Sequence, residues 1–251
     1  MSALSIASIA FACAFGSALV GAYLKDRLPA PHVSKESQEV VRLGMGLVVT
    51  MTALLLGLVT ASVRIAFDAN DAAIKTSAVN ILTLDRHLAR YGAETRPTRD
   101  LLRAAVQFRL DTTWPAEGSG PGFSGGPSTP AVEEIQNQIL ALAPQTDAAR
   151  WLKAEALKLS DEVMKTRWRL LGSAGAIPPA FLMVIIFWLT VTFASFGLYA
   201  PRNATVVGVL FLAAISVALA LFLIMELDGP FDGLIKVSSA PFRFALENLG
   251  K

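Results

Sequence analysis

Four apolar segments restrict what this chain can fold into. They cover about residues 3–24, 43–67, 177–198 and 204–227. A helix needs roughly 20 apolar residues to cross the hydrocarbon core of a bilayer, so each segment is long enough to span it. Of the 251 residues, 53% are hydrophobic and 17% are charged, and the mean hydropathy is +0.52. These values exclude an ordinary soluble domain and predict an all-α membrane protein with four transmembrane helices.

The four spans are predicted to form two hairpins separated by a polar region. Residues 1–67 form the first transmembrane hairpin, and residues 172–227 form the second, in which the short YAPRNAT turn joins antiparallel neighbours. Residues 68–171 are expected to be a cytoplasmic helical region that extends the second and third spans. Residues 228–251 are expected to be a cytoplasmic C-terminal segment. In the first span, alanines recur every four residues, which allows membrane helices to pack closely: Ala10, Ala14, Ala18 and Ala22.

The middle region has apolar residues at helical spacing and almost no strand pattern. Thr98, just after Pro97, is expected to cap one of its helices. Residues 115–130 are rich in glycine and proline and predict a loop. The apolar stripes predict helices that pack together rather than a separate catalytic domain: Ile74, Ala78, Ile81, Leu84, Leu88 and Tyr91; Leu101, Ala105 and Phe108; Val132, Ile135, Ile139 and Leu142; Leu152, Ala156, Leu159 and Val163.

The distribution of basic residues predicts the orientation of the chain. Cytoplasmic segments of membrane proteins carry an excess of lysine and arginine. Eight basic residues flank the side that holds the middle region, against five on the other side, so both termini and the middle region are expected in the cytoplasm. The eight are Arg64, Lys75, Lys158, Lys165, Arg167, Arg169, Lys236 and Arg243; the five are Lys25, Arg27, Lys35, Arg42 and Arg202.

One face of the second span is small and polar, although the span itself is apolar. This face carries Gly46, Thr50, Ala53, Gly57 and Thr60, and it continues at the cytoplasmic end into Arg64, Asp68 and Asp71. Small residues and threonine hydroxyls are typical of a seam between packed helices. If several copies arrange the face around an axis, the same residues line a pore with charged rings at its cytoplasmic mouth. Both interpretations stay open at this point.

The fourth span ends in two carboxylates that border the apolar run, Glu226 and Asp228. Negative charge at a helix C-terminus is unfavourable for the helix dipole and calls for a partner. An interfacial ion pair with Arg64, Arg167 or Arg169 is one expectation, and an ion-binding site is the other.

Sequence motifs for chemistry are missing. The two histidines, His32 and His87, are expected on opposite sides of the membrane, and the only cysteine, Cys13, lies within a span, so we expect no metal site and no intrachain disulfide. No hydrolase, zinc-protease, Walker or dinucleotide motif occurs, so we expect neither an enzyme nor a bound cofactor. A net charge of +2 gives no reason to expect nucleic-acid binding.

Two long stretches resemble the bacterial bestrophin-like membrane family. They are LLLGLVTASVRIAFDANDAAIKTSAVNILTLDRHL and the region that contains SFGLYAPRNAT and ELDGPFDGLI. The resemblance covers nearly the whole chain except the Gly/Pro loop. It implies four transmembrane helices per subunit, a cytosolic helical portion, and a homo-oligomer, expected to be a pentamer, that passes inorganic ions along an axis lined by the second span. It also implies the bacterial inner membrane and its lipids as the environment. The aromatic neck of bestrophins has no counterpart in residues 54–59, which are aliphatic apart from Gly57.

Three classes of function follow from these patterns. The leading hypothesis is a passive ion channel of the inner membrane, with selectivity open and a slight preference for cations, because Asp68 and Asp71 outnumber Arg64. The alternative is a non-conducting membrane scaffold whose cytoplasmic helices bind a partner protein. A transporter is disfavoured by the lack of broken helices and of charged residues deep within any span.

Overall fold

The computed structural model describes residues 2–29, 34–115, 129–172, 175, 177–201, 203–231 and 233–251. Within these residues the fold is all-α, with eight α-helices and no strand, as the sequence predicts. The helices are α1 (Ala3–Leu24), α2 (Lys35–Tyr91), α3 (Arg96–Thr113), α4 (Thr129–Ala141), α5 (Asp147–Gly172), α6 (Pro179–Tyr199), α7 (Ala204–Asp228) and α8 (Ala240–Asn248). Among the described helices, α1, α2, α6 and α7 are long and apolar enough to cross a membrane.

The chain divides into two compact units. The apolar unit comprises Met1–Ile65 and Gly175–Asp228, and the polar unit comprises Ala66–Ala174 and Gly229–Lys251. Helix α2 contributes its first half to the apolar unit and its second half to the polar unit. Each unit has its own cluster of buried hydrophobic side chains.

The apolar unit is built around α1, which packs against α6 and α7. The buried side of α1 consists almost entirely of small residues, which brings its backbone close to its neighbours. The alanine stripe is buried as expected at Ala10, Ala14 and Ala18, but the next buried residue is Gly21, whereas Ala22 is only half-buried. Residues four apart drift slowly around a helix that has 3.6 residues per turn. The contact face of α1 therefore reaches Gly21, three residues after Ala18, rather than Ala22, four residues after it.

Two glycines lie where α1 and α6 cross. A Cβ atom added to Gly21 would overlap the carbonyl oxygen of Ala194, and one added to Gly197 would overlap the carbonyl oxygen of Ala18. No side chain fits at either position, because the two helix backbones touch there. Glycine is therefore required on both helices for this crossing.

Helix α2 is one helix of 57 residues, which joins the predicted span at residues 43–67 to its helical extension in the middle region. Between Gly57 and Gly92 no glycine or proline occurs that would interrupt it. The helix ends before Gly92, whose φ of 150° is a conformation that residues with a side chain rarely adopt.

The polar unit has a core made of the apolar stripes of α2, α3, α4, α5 and α8. The stripes of α2, α4 and α5 are buried or half-buried as predicted, and the C-terminal helix α8 adds its own apolar face. The fully buried members with the largest side chains are Ile74, Leu84, Leu88, Ile135, Ile139, Leu170, Val237, Phe242 and Leu249.

Helix α3 differs from the prediction in two ways. Its fully buried apolar residues are Leu102, Val106 and Leu110. Of the expected stripe, Leu101 and Ala105 are half-buried and pack against this core, whereas Phe108 is 44% exposed. Apolar residues occur on both sides of the true face, and sequence alone did not discriminate between them. Thr98 is not the cap either, because α3 begins at Arg96 and the hydroxyl of Thr98 forms a 2.8 Å hydrogen bond with Gln138.

A buried ion pair ties α2 to α3 in the polar unit. Asp85 is fully buried and accepts hydrogen bonds from Arg99 Nε at 2.7 Å and Nη2 at 3.1 Å. The amide nitrogen of Gly250 donates to the same carboxylate at 3.3 Å. The hydrogen bond with Asp85 raises the pKa of Arg99 above its usual value. The C-terminal residues are thus part of the core packing of the polar unit.

Some expectations fall on residues outside the described ranges. Residues 116–128 of the predicted Gly/Pro loop lie there, as do His32 and Arg202. At the end of that predicted loop, Thr129 and Pro130 already belong to α4, so the loop prediction was two residues too long.

Candidate functional site

The small and polar face of α2 is exposed in the single chain. Gly46, Thr50, Ala53, Gly57 and Thr60 are all exposed, as is Arg64 at the end of the apolar unit. At about 100° per residue, these positions lie within about 40° of a common direction on the helix. The structure therefore brings the predicted pore-lining residues onto one open strip of helix.

A different face of α2 holds the helix in the apolar unit. Thr52, Val59 and Val63 are buried there, and the two valines join the hydrophobic cluster formed with α1, α6 and α7. These residues lie more than 90° around the helix from the small and polar face. Helices of the same chain therefore do not seal the small and polar face.

The glycines on the exposed face are not required by contacts within the chain. A Cβ added to Gly46 or to Gly57 would have no atom within 4 Å. This contrasts with Gly21 and Gly197, where the neighbouring backbone leaves no room. At its N-terminal end the small and polar face adjoins a groove of about 590 Å³, which Gly46 lines together with Arg42 and Phe196.

The threonine hydroxyls of this face donate their protons to their own helix. Thr50 Oγ1 donates to the carbonyl oxygen of Gly46 at 2.9 Å, and Thr60 Oγ1 donates to that of Leu56 at 2.7 Å. A hydroxyl whose proton is used in this way offers only its oxygen lone pairs outward. The exposed strip therefore presents hydrogen-bond acceptors, which suit water and cations better than anions.

The charged residues that follow on α2 differ in their surroundings. Arg64 and Asp68 are exposed. Asp71 is half-buried and forms a 2.7 Å ion pair with Lys75 one turn later. The sequence analysis expected two negative charges, Asp68 and Asp71, against the positive charge of Arg64. Because Lys75 pairs with Asp71, only the negative charge of Asp68 remains to be set against Arg64.

A second exposed face of α2 is strongly apolar, and the sequence analysis did not identify it. Its residues are between 63% and 78% exposed: Leu43, Leu47, Leu54, Leu58 and Ile65. This face lies about 100° around the helix from the small and polar one. Large exposed apolar patches mark contacts with lipid or protein. The recurrence of leucine and isoleucine at alternating spacings of four and seven residues is the sequence signal for it.

The two carboxylates at the end of α7 are not equally accessible. Glu226 is 7% exposed, and Asp228 is half-buried. A buried carboxylate is costly unless it is paired or hydrogen-bonded. Whether they form an ion pair or an ion-binding site stays a prediction.

Within the described ranges, no group of three or more His, Cys, Asp or Glu side chains has the arrangement of a metal site. The described histidine, His87, packs edge to face against Trp151, with ring centroids 5.4 Å apart. Cys13 is a free, half-buried thiol on α1. The α2 face is the candidate site because the predicted pore-lining residues lie together there and are exposed.

Comparison with known families now adds to this geometry. The Bestrophin-like domain matches residues 12–242, which is most of the chain. The chain belongs to the Bestrophin-like family. The match includes all of α2 and confirms the resemblance found in the sequence; with the four long apolar helices it identifies a membrane protein. No curated protein and no solved structure matches the chain.

Proposed function

We propose that this Bestrophin-like protein is a passive ion channel, assembled as a homo-oligomer around the small and polar face of α2. The observation that carries the proposal is that this face, with Gly46, Thr50, Ala53, Gly57 and Thr60, stays open in the single chain. Glycines that no contact within the chain requires leave space for water or for another copy. Membership of a family related to oligomeric ion channels supports the same conclusion.

An oligomer also accounts for the apolar face of α2. Helices placed around an axis have one face toward the axis, and their sides toward neighbouring subunits or lipid. The leucine-rich face, about 100° from the small and polar one, suits a subunit or lipid contact. We propose a pentamer, following the resemblance to bestrophins, and surrounding membrane lipids that contact the outer helices.

We propose that the pore prefers cations. Its walls offer the lone pairs of Thr50 and Thr60, because their protons are bonded within the helix. At the mouth, Arg64 opposes Asp68, while Asp71 is neutralised by Lys75. The side-chain charges therefore nearly balance, and the acceptor character of the wall decides the sign.

Flux measurements in liposomes test whether the α2 face lines the pore. The variant Gly57→Leu places a large side chain on the small and polar face. We expect it to lower ion flux by at least about tenfold, which corresponds to a barrier increase of about 1.4 kcal/mol. Thr50→Leu should lower the flux as well. Reversal potentials measured in a KCl gradient give the ion preference.

Gly44→Leu is the matched control for Gly57→Leu. Gly44 lies on the same helix and also has no atom within 4 Å of an added Cβ, but it faces about 140° away from Gly57. We expect Gly44→Leu to conduct like the unchanged protein. Equal flux for the unchanged protein, Gly57→Leu and Thr50→Leu would remove this face from the pore.

The scaffold alternative receives less support from the polar unit. The apolar stripes that suggested a docking surface point into the core of that unit, where Ile74, Leu84, Ile135 and Ile139 are buried. We therefore propose neither a partner protein nor an enzymatic reaction. A cytosolic protein that co-purifies at fixed stoichiometry from a non-conducting preparation would favour the scaffold.

We propose the bacterial inner membrane as the location, with both termini in the cytoplasm. The proposal rests on the excess of basic residues on the side of residues 68–171. Reporter fusions test it: a cytoplasmic reporter fused after Lys251 should be active, and one inserted after Lys25 should be inactive. The opposite result would invert the topology.

A further inference from the structure

The polar unit contains a partly open cavity that two arginines line. Its volume is about 40 Å³, and it lies among α2, α3, α4, α5 and α8. Most of its lining is apolar, for example Leu84 and Phe242. Among the described residues, its polar lining consists of Arg109, Ser160 and Arg167.

Arg109 enters this cavity with unused hydrogen-bond donors. Its Nε and Nη2 atoms are buried, and within the described part of the chain neither has a hydrogen-bond partner. The guanidinium carbon lies 5.2 Å from the centre of the Phe242 ring, a cation–π distance. The ring face stabilises the charge but does not accept the two N–H groups. Buried donors without an acceptor are unfavourable and rare in folded proteins.

A second positive charge lies near Arg109. Arg167 is 6% exposed and lines the same cavity. Burial, together with the charge of Arg167, lowers the pKa of Arg109 to about 10. Arg109 is therefore still protonated at neutral pH. The fully buried carboxylate of Asp85 in the same unit is paired with Arg99.

Ser160, the third polar residue of the lining, forms no hydrogen bond with Arg109 Nε or Nη2. Its hydroxyl donates to the carbonyl oxygen of Leu157 at 2.8 Å. A small anion in the cavity would accept both buried N–H donors of Arg109 and offset the charge of its guanidinium.

We propose that this cavity binds one small monovalent inorganic anion, of the size of chloride, through the Nε and Nη2 donors of Arg109. One water occupies about 10–15 Å³ when cavities are measured in this way, so about 40 Å³ holds roughly three particles of that size. A halide with one or two waters fits this space. A nucleotide or a phosphorylated metabolite does not.

The bound anion stabilises the polar unit by offsetting the charge of Arg109 within the apolar core. This site is separate from the proposed pore and requires no conduction. Its test is a measurement of stability, so a failure of the anion site and a failure of the channel proposal give different results.

The experiment compares the thermal stability of the purified full-length protein in chloride, bromide and gluconate at one ionic strength. Gluconate is too large for the cavity and serves as the reference anion. For the unchanged protein we expect a saturable rise of Tm in chloride and bromide, roughly 3–5 °C over gluconate. Bromide anomalous diffraction should place a peak next to Arg109 Nη2.

The variant Arg109→Met keeps most of the side-chain volume and removes the charge. We expect it to be at least as stable as the unchanged protein in gluconate, because an uncompensated buried charge is gone, and to show no response to chloride. Arg96→Met, at an exposed position on the same helix, is the control and should respond to chloride like the unchanged protein.

Two results would overturn the site: the same Tm in all three anions for the unchanged protein, or an equal chloride response in Arg109→Met and the unchanged protein. General solvent effects of the anions act on all variants alike, so the comparison between variants removes them. If Arg109→Met fails to fold, two measurements on the unchanged protein test the site: the dependence of its Tm on the anion, and the bromide peak next to Arg109 Nη2.

Discussion

The crossing of α1 and α6 allows a sharp test of the packing in the apolar unit. In Gly21→Ala, the added Cβ would overlap the carbonyl oxygen of Ala194 and lie 3.0 Å from both its carbonyl carbon and the amide nitrogen of Leu198. These are backbone atoms of a packed helix, which cannot rotate away as a side chain can. The two helices must therefore separate, and the small-residue contacts along α1 loosen.

The expected cost follows from measurements on overpacked cores. Inserting one methyl group where no space exists costs roughly 1–3 kcal/mol. For a chain of this size, 1 kcal/mol corresponds to roughly 2–4 °C in Tm, so Gly21→Ala should lower Tm by roughly 2–12 °C. Thermal unfolding in detergent, followed by tryptophan fluorescence, measures the shift; Trp188 on α6 lies on the affected helix.

Gly16→Ala is the matched control on the same helix. A Cβ at Gly16 has no atom within 4 Å, so this variant should be neutral or gain up to about 1 kcal/mol from the better helix propensity of alanine. The reasoning is refuted if Gly21→Ala is as stable as Gly16→Ala. Such a result would mean that the two backbones do not touch at Gly21.

Two further predictions concern the polar unit. Asp85→Asn leaves Arg99 without its buried carboxylate and should lower the free energy of unfolding by about 3 kcal/mol in urea titrations, whereas Asp161→Asn, in an exposed ion pair, should change it by less than about 1 kcal/mol. Similar values for the two would contradict a buried pair. Thr95→Val removes a buried hydroxyl that donates to Leu88 at 2.6 Å and should cost about 1–3 kcal/mol by the same assay; no change would mean that the carbonyl finds another donor.

Much of the fold follows from sequence because its causes are local. The helices α1 and α7 begin where the apolar runs begin, since a run of about 20 apolar residues is both the span and the helix. The stripe from Ile74 to Leu88 was also correct, because helical periodicity directly reports the buried face. On α3 the expected stripe was correct at Leu101 and Ala105 but wrong at Phe108, because the neighbouring helices decide which of the adjacent apolar residues is fully buried.

Part of the candidate site also follows from the sequence, and part of the molecule's polar chemistry does not. The sequence placed Gly46, Thr50, Ala53, Gly57 and Thr60 on one face, since helix geometry alone fixes their common direction. The assignment of that face to a pore stays a prediction that the flux variants test. The charged pair of Arg109 and Arg167 was not visible in sequence, because residues 58 positions apart meet only through tertiary packing.

The sequence by itself determined that this is an all-α membrane protein, because hydrophobic length and period are properties of continuous segments. Its membership of the Bestrophin-like family follows from the match over residues 12–242. Only the tertiary structure decided which small residues carry the packing and which stay open. Gly21 and Gly57 look alike in sequence, yet one meets the backbone of α6 and the other meets no atom of its own chain. The physical reason is that close packing is a relation between helices, and the residues of one helix do not specify what lies opposite them.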